Sequence, residues 1–198
     1  MGLDLPNFFG QTPLDEDEKE GLLIPAISSR EELDEFEQQN IEDAMQWVFG
    51  KSLKVESIFI EKFVCDLHKR MFKHVWSWAG KIRKTDKNLG VSKYQIAVEL
   101  RILCDDALFW IKNDSFPADE IALRFKHRIV SIHCFSNGNG RHSRLMADII
   151  VNKVFGKPMF SWGSKGLIQN DEVRSRYLKA IKRADIGEYE PLLKFARS

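Results

Sequence analysis

Cysteine is scarce: Cys65, Cys104 and Cys134 are the three in 198 residues, and no CxxC pair joins them. That spacing provides neither a disulfide framework nor a zinc knuckle, so a reducing cytoplasm is the expected setting. Long apolar runs are missing too. No stretch approaches the ~18 residues of a membrane span, and the first basic residue is Lys19, so no charged n-region precedes an apolar segment. Met1-Gly2 lacks the Ser or Thr at position 6 of a myristoylation signal. Neither export nor a membrane partner is expected. Proline and glycine, at 6 and 12 residues, are too few for a fibrous or low-complexity chain, while 43% hydrophobic and 30% charged residues suit one compact domain plus an arm.

The net charge of +1 conceals an asymmetry. Residues 1–43 hold thirteen acidic and two basic side chains, a balance of −11, which leaves +12 for residues 44–198. A basic body suggests a phosphate or other anion as ligand, with the acidic segment able to fold back over it; a solvated acidic tail is the plainer account.

Residues 1–28 contain Pro6, Pro13 and Pro25 and an acidic run from Asp15 to Glu20, with no sustained period, and read as an extended acidic arm. Residues 29–198 read as a single domain. Ser29-Arg30-Glu31-Glu32 fits a capping box, and Leu33, Phe36, Ile41, Ala44, Met45 and Val48 carry the helix to Gly50. Glu37 and Asn40 fall on that apolar stripe, where a buried carboxylate needs a partner. Further helices are expected over 57–75, 93–112, 117–132 and 140–155, from Asn170 to Ala184, and from Pro191. The polar stretch Lys81–Ser92, with Asp86, Asn88 and Gly90, suits a short hairpin. The fold class is therefore all-α with one small β-hairpin.

The segment His133-Cys134-Phe135-Ser136-Asn137-Gly138-Asn139-Gly140-Arg141-His142-Ser143-Arg144 lies between two of these helices. Gly138 and Gly140 let the backbone turn tightly, and the next helix presents amides and the positive end of its dipole, which makes an anion site. Arg141 and Arg144, three apart, share one face of the first turn, where two guanidinium forks suit a polyphosphate. His133, at the mouth, is an imidazole of expected near-neutral pKa, with the chemistry to take a proton from an incoming hydroxyl. A helix-capping histidine followed by a glycine turn is the bland alternative. A P-loop needs Lys and Ser/Thr directly after its second glycine, and no Rossmann strand precedes this loop.

This segment resembles the Fic/Doc signature HPFxxGNGRxxR at every fixed position except that Cys134 replaces the proline. Trp78-Ala79-Gly80 followed by Lys81 and Arg83 resembles the stretch leading into that family's target-binding flap. Thr12-Pro13-Leu14 and Glu37-Gln38-Gln39-Asn40-Ile41 resemble the mobile mystery protein B branch. The resemblance covers about residues 12–195 and implies a Fic-type helical bundle that transfers AMP from ATP to a hydroxyl of a target protein. It further implies His133 as general base, Phe135 as the core-anchoring aromatic, Gly138, Asn139 and Gly140 as the hole for the α- and β-phosphates, Arg141 on the β-phosphate and Arg144 orienting the γ-phosphate. In the family the position before Gly138 is commonly an acidic ligand of Mg2+; here Asn137 supplies a dipole without charge, so weaker metal binding is expected. A catalytically silent Fic-fold module binding nucleotide or protein therefore stays open beside the enzyme, as does deAMPylation or transfer of another phosphoryl-linked group. Many members are restrained by a glutamate that pairs with the second signature arginine. The usual restraining pattern is not intact here, and Glu37, in the helix at 29–49, is the inhibitory candidate, with Arg144 as its expected partner.

The remaining histidines, His68, His74, His127 and His142, lack metal-ligand spacing. The tryptophans Trp47, Trp76, Trp78, Trp110 and Trp162 read as core or helix-junction residues. Lys84, Lys87 and Lys93 lack the interleaved aromatics of a stacking platform, so nucleic acid is not an expected partner.

Overall fold

The computed structural model describes residues 19–163 and 171–198. Eight α-helices run through them: α1 (Arg30–Phe49), α2 (Val55–Ile58), α3 (Glu61–Phe72), α4 (Ile96–Lys112), α5 (Ala118–Ile132), α6 (Asn139–Ile149), α7 (Asp171–Asp185) and α8 (Glu190–Arg197). A π-helical turn, Ile150–Val154, extends α6. Helices α5 and α6 pack on each other at the centre; α1 lies on α3, α4 on α5, and α7 on α8. Leu67, Met71, Leu100, Leu103, Phe125 and Met146 are fully buried between them. Removing that apolar surface from water is the main force holding the bundle together.

The capping box forms at α1: Ser29 Oγ accepts from Glu32 N–H at 3.2 Å, and Glu32 Oε2 accepts from Ser29 N–H at 3.3 Å. The helix ends at Gly50. The single helix expected over 57–75 is two. Phe59 leaves the helical region at φ −98°, ψ 54°, and its buried ring meets Phe125 edge-on with centroids 5.5 Å apart. The second piece stops at Phe72 because the arm pairs with the residues just beyond it: Leu23 N–H donates to the Val75 carbonyl and Ser77 N–H to the Gly21 carbonyl, around a Leu22–Trp76 bridge. The cap expected at Asn170 and the Pro6 and Pro13 part of the arm lie outside the described residues.

The expected hairpin is corrected: the described residues contain no strand pair at Lys81–Ser92. Arg83 is the reason. Its buried guanidinium donates to the carbonyls of Thr85 (2.7 Å), Val91 and His133 (2.6 Å), and Asp86 Oδ1 accepts from Lys93 N–H at 2.7 Å. Acceptors that a ladder would have paired strand to strand are taken by one side chain, so the segment is an irregular loop wrapped around a cation.

Candidate active site

Helix α5 ends where His133 enters the left-handed region (φ 57°, ψ 60°), and α6 begins after Gly138 (φ 75°, ψ −1°). Any side chain at 138 would be strained by that φ, and a Cβ there would meet the Phe72 ring at 2.6 Å. Asn139 locks the connection between the two helices: its Oδ1 accepts from Phe135 N–H at 3.0 Å and its Nδ2 donates to the Phe135 carbonyl at 2.7 Å. It acts as a brace for the loop. Phe135 is fully buried, stacked on His68 with centroids 3.7 Å apart and 17° between planes.

The N-cap residue Gly138 supplies no side-chain cap to α6, and among the described residues a Cβ on Gly140 would meet nothing within 4 Å. The first turn is thus open on the side where helical amides and the dipole favour an anion. His133 is 6% exposed and its ring bonds the Val130 carbonyl. Burial, with Arg83 and then Lys87 opposing a second positive charge, pushes its pKa down to about 4. The near-neutral value expected of this imidazole is therefore corrected: it is firmly neutral at pH 7. The adjacent Cys134 thiol is fully buried and pushed up to about 12 by desolvation, which makes it inert. All three cysteines are free, and although far apart in sequence they lie near enough in space for Cys65 and Cys104 to act on Cys134.

The two arginines differ. Arg141 donates from Nη1 to Glu37 Oε2 at 2.5 Å and lies over the Phe72 ring, while Glu37 Oε1 accepts from Trp76 Nε1 at 2.5 Å. Glu37 does turn inward and is 3% exposed, but its partner is the first signature arginine, not Arg144 as the sequence suggested. Geometry explains the change: α1 touches α6 near the N-terminal turn, and Trp76 closes the other side of the carboxylate. Arg144 has no ion-pair partner among the described residues; burial lowers its pKa, the Tyr177 phenol and Asp148 attract it, and Arg141 repels it. Asp148 itself is pushed up to about 6 by burial, against hydrogen bonds from Trp162 and Phe160.

Asn137 lies beside this open turn, its Oδ1 accepting from Gly138 N–H at 2.6 Å. The donor set does not fit a resident magnesium ion. The loop offers no carboxylate, the amide oxygen is already engaged, and no cluster of three metal-binding side chains occurs among the described residues.

Sequence reasoning missed His68 and underrated Arg83 and Trp76. His68 is fully buried on α3, accepting Gly80 N–H at Nδ1 (2.9 Å) and facing the Asn137 carbonyl at Nε2 (3.0 Å). The available signal was the one used for Glu37: a polar residue four positions from Val64 on an apolar stripe.

Residues 58–151 match the sequence model of the Fic/DOC family. The protein adenylyltransferase Fic of Drosophila grimshawi is 27% identical over 139 residues, 68% of this chain and 27% of that protein. Its counterpart in Aedes aegypti is 23% identical over 159 residues, 78% of this chain and 30% of that one. The chain thus spans under a third of the length of these curated relatives. Among solved structures, Fic-1 of Caenorhabditis elegans superposes with a TM-score of 0.66 at 24% identity, covering 90% of this chain and 51% of that one. BepC of Bartonella tribocorum with bound AMPPNP gives 0.66 at 16% identity, covering 91% and 95%. By their sequence match residues 58–151 of this chain belong to the Fic/DOC family, and the helical bundle has the fold of these solved structures.

Proposed function

We propose that this chain is a protein adenylyltransferase that moves AMP from ATP to a hydroxyl of a target protein, held in a restrained state by Glu37. The observation that carries the reading is a neutral, nearly buried imidazole at the mouth of an uncapped helix N-terminus flanked by two arginines. Relatives named as adenylyltransferases, and a structural neighbour holding AMPPNP, support the class of reaction and the nucleotide.

In this reading the triphosphate lies across the first turn of α6. Gly138 and Gly140 allow its close approach, Arg141 takes the β-phosphate and Arg144 the γ-phosphate, while Phe135 and Asn139 keep the loop rigid from behind. The target hydroxyl gives its proton to the imidazole of His133 as its oxygen bonds to the α-phosphorus, and the bond to the departing pyrophosphate breaks. A base so positioned supplies ~10²- to 10⁴-fold in rate, and donors fixed around the phosphates supply the larger electrostatic share. Arg83 and Lys87 disfavour the imidazolium in the absence of nucleotide; the negative triphosphate offsets them and raises the basicity of His133 when it is needed. Magnesium belongs to this scheme as the ion that ATP brings, with Asn137 as a neutral neighbour.

The Glu37 carboxylate on Arg141 Nη1 competes with a phosphate for that guanidinium. In this reading nucleotide displaces the carboxylate, or α1 shifts, for the β-phosphate to gain the whole fork. The affiliation with the mobile mystery protein B branch, an acidic arm at 1–28 attached to a single domain at 29–198, and a reducing cytoplasmic setting for the three free thiols belong to the same proposal.

A second reading has one observation in its favour. Asn137 lacks the charge of an acidic ligand and its amide occupies the Gly138 N–H, which suits a module that binds nucleotide or protein without chemistry. Incubation with labelled ATP, magnesium or manganese and a cell lysate separates the two: the enzyme labels a protein, the silent module labels none.

A further inference from the structure

We propose that His68 is the positioning residue of the phosphate loop, holding the Asn137–Gly138 peptide so that the Gly138 N–H faces the anion site. The proposal rests on the adenylyltransferase reading for the identity of the anion. Its own ground is the set of contacts around one fully buried ring.

Those contacts fix the tautomer. Gly80 N–H donates to Nδ1 at 2.9 Å, so Nδ1 is the acceptor and the ring proton is on Nε2, which donates to the Asn137 carbonyl at 3.0 Å. Burial holds the His68 pKa well below the ordinary imidazole value, with His142 as the next cause, so the neutral form persists. Stacking on Phe135 and contact with Phe72 leave the ring one orientation. His68 thereby links the Trp78-Ala79-Gly80 turn to the signature loop.

Peptide planarity converts that bond into a direction. In a trans peptide the C=O and the next N–H point in opposite directions, so a carbonyl turned to His68 sends the Gly138 N–H away from it. That N–H is held by Asn137 Oδ1 at 2.6 Å, the place an incoming phosphate oxygen would take. Gly138, at φ 75° and ψ −1°, has the dihedrals of the third residue of a type II turn. The peptide before such a glycine can rotate about its flanking bonds, because glycine also accepts the φ of about −90° of a type I turn. Rotation would aim the Asn137 carbonyl, a negative dipole end, at the phosphates. The His68 Nε2–H opposes that state, since rotation would strip a buried donor of its acceptor.

The test exploits amide mimicry of the two ring nitrogens. His68→Gln places an N–H near Nε2 and keeps the donor to Asn137; His68→Asn places an acceptor near Nδ1 and keeps only the contact to Gly80. Folding is checked by thermal unfolding and nucleotide binding by calorimetry with AMPPNP. The Gln variant is expected to bind within about threefold of the parent and the Asn variant about tenfold more weakly, as expected for one lost charge-assisted contact. Equal losses in both, or losses that track thermal stability, would reduce His68 to a packing residue. His68→Leu is a second donor-less variant if the Asn form does not fold. If the parent itself binds no AMPPNP, it is the functional reading that fails. Crystal structures of the variants then decide the positioning claim: a rotated Asn137 carbonyl without the donor supports it, and an unmoved one in every variant overturns it.

Discussion

Glu37 and Arg141, 104 residues apart in sequence, meet at 2.5 Å with the glutamate side chain 4% and the arginine side chain 28% exposed. The acidic N-terminal segment is thus tied directly to the turn where phosphates are expected. Trp76 fixes the second carboxylate oxygen, so the pair has one geometry and an entropic cost already met on folding.

Glu37→Gln should release Arg141. Losing a charge-assisted bond of this kind is worth about 1.5–3 kcal/mol, partly screened here because the arginine is more than a quarter exposed. ATP should bind on the order of tenfold more tightly, and labelling of the chain or of a target should rise. Glu37→Gly should act in the same direction at a further helix cost of about 1 kcal/mol. Equal labelling by the parent and both folded variants would leave Glu37 with a structural role.

His133→Ala should abolish transfer and leave nucleotide affinity nearly unchanged, since the ring is assigned to the acceptor hydroxyl. Because burial and Arg83 push its pKa down to about 4, the base stays unprotonated through pH 6, where an ordinary histidine would be largely charged. The kcat/KM for transfer, which reports the nucleotide-free protein, should therefore hold between pH 7 and 6. Unchanged modification by the Ala variant would remove His133 from the chemistry.

The helices and the signature loop were legible because their signals are local. Capping at Ser29, the stripes of α1 and α3, and the glycines at the start of α6 all act over a few residues. Pairings across the bundle were not. The loss of the hairpin depends on Arg83 reaching His133 fifty positions later, and the choice of Arg141 over Arg144 depends on how α1 crosses α6. His68 was present as a polar residue on an apolar face, but its task could be read only once Gly80 and Asn137 stood on either side of it.

Asn137→Asp should strengthen the dependence of transfer on magnesium, because it adds a hard anionic oxygen beside the expected phosphates. The carboxylate can still accept from Gly138 N–H, so the loop should keep its shape. Metal titration of parent and variant with ATP present is the measurement. Identical metal affinity would place residue 137 away from the ion.

Stability should fall on the acid side of neutrality. His133 and His142 are each pushed by burial to about 4, and His68 well below its ordinary 6.5, while in the unfolded chain all three take up protons near 6.5. Below that pH the unfolded state binds more protons than the folded one, so the folded state loses stability from about pH 6.5 toward 4 and is unaffected by these groups above it. Asp148 works in the opposite sense: its folded value of about 6 exceeds the unfolded 3.8, so it regains stability as pH falls through that window. With His127, whose pKa burial also lowers, four imidazoles against one carboxyl leave a net loss. His142→Gln keeps a donor for the Val64 carbonyl that His142 Nε2 meets at 3.0 Å, and removes one titrating group. Urea unfolding between pH 7 and 4.5 should show a slope shallower in this variant by about 1 kcal/mol per pH unit on average, approaching the one-proton value of about 1.4 near pH 5. The same slope in both proteins would mean that the His142 ring reaches solvent and titrates alike in the folded and unfolded chains.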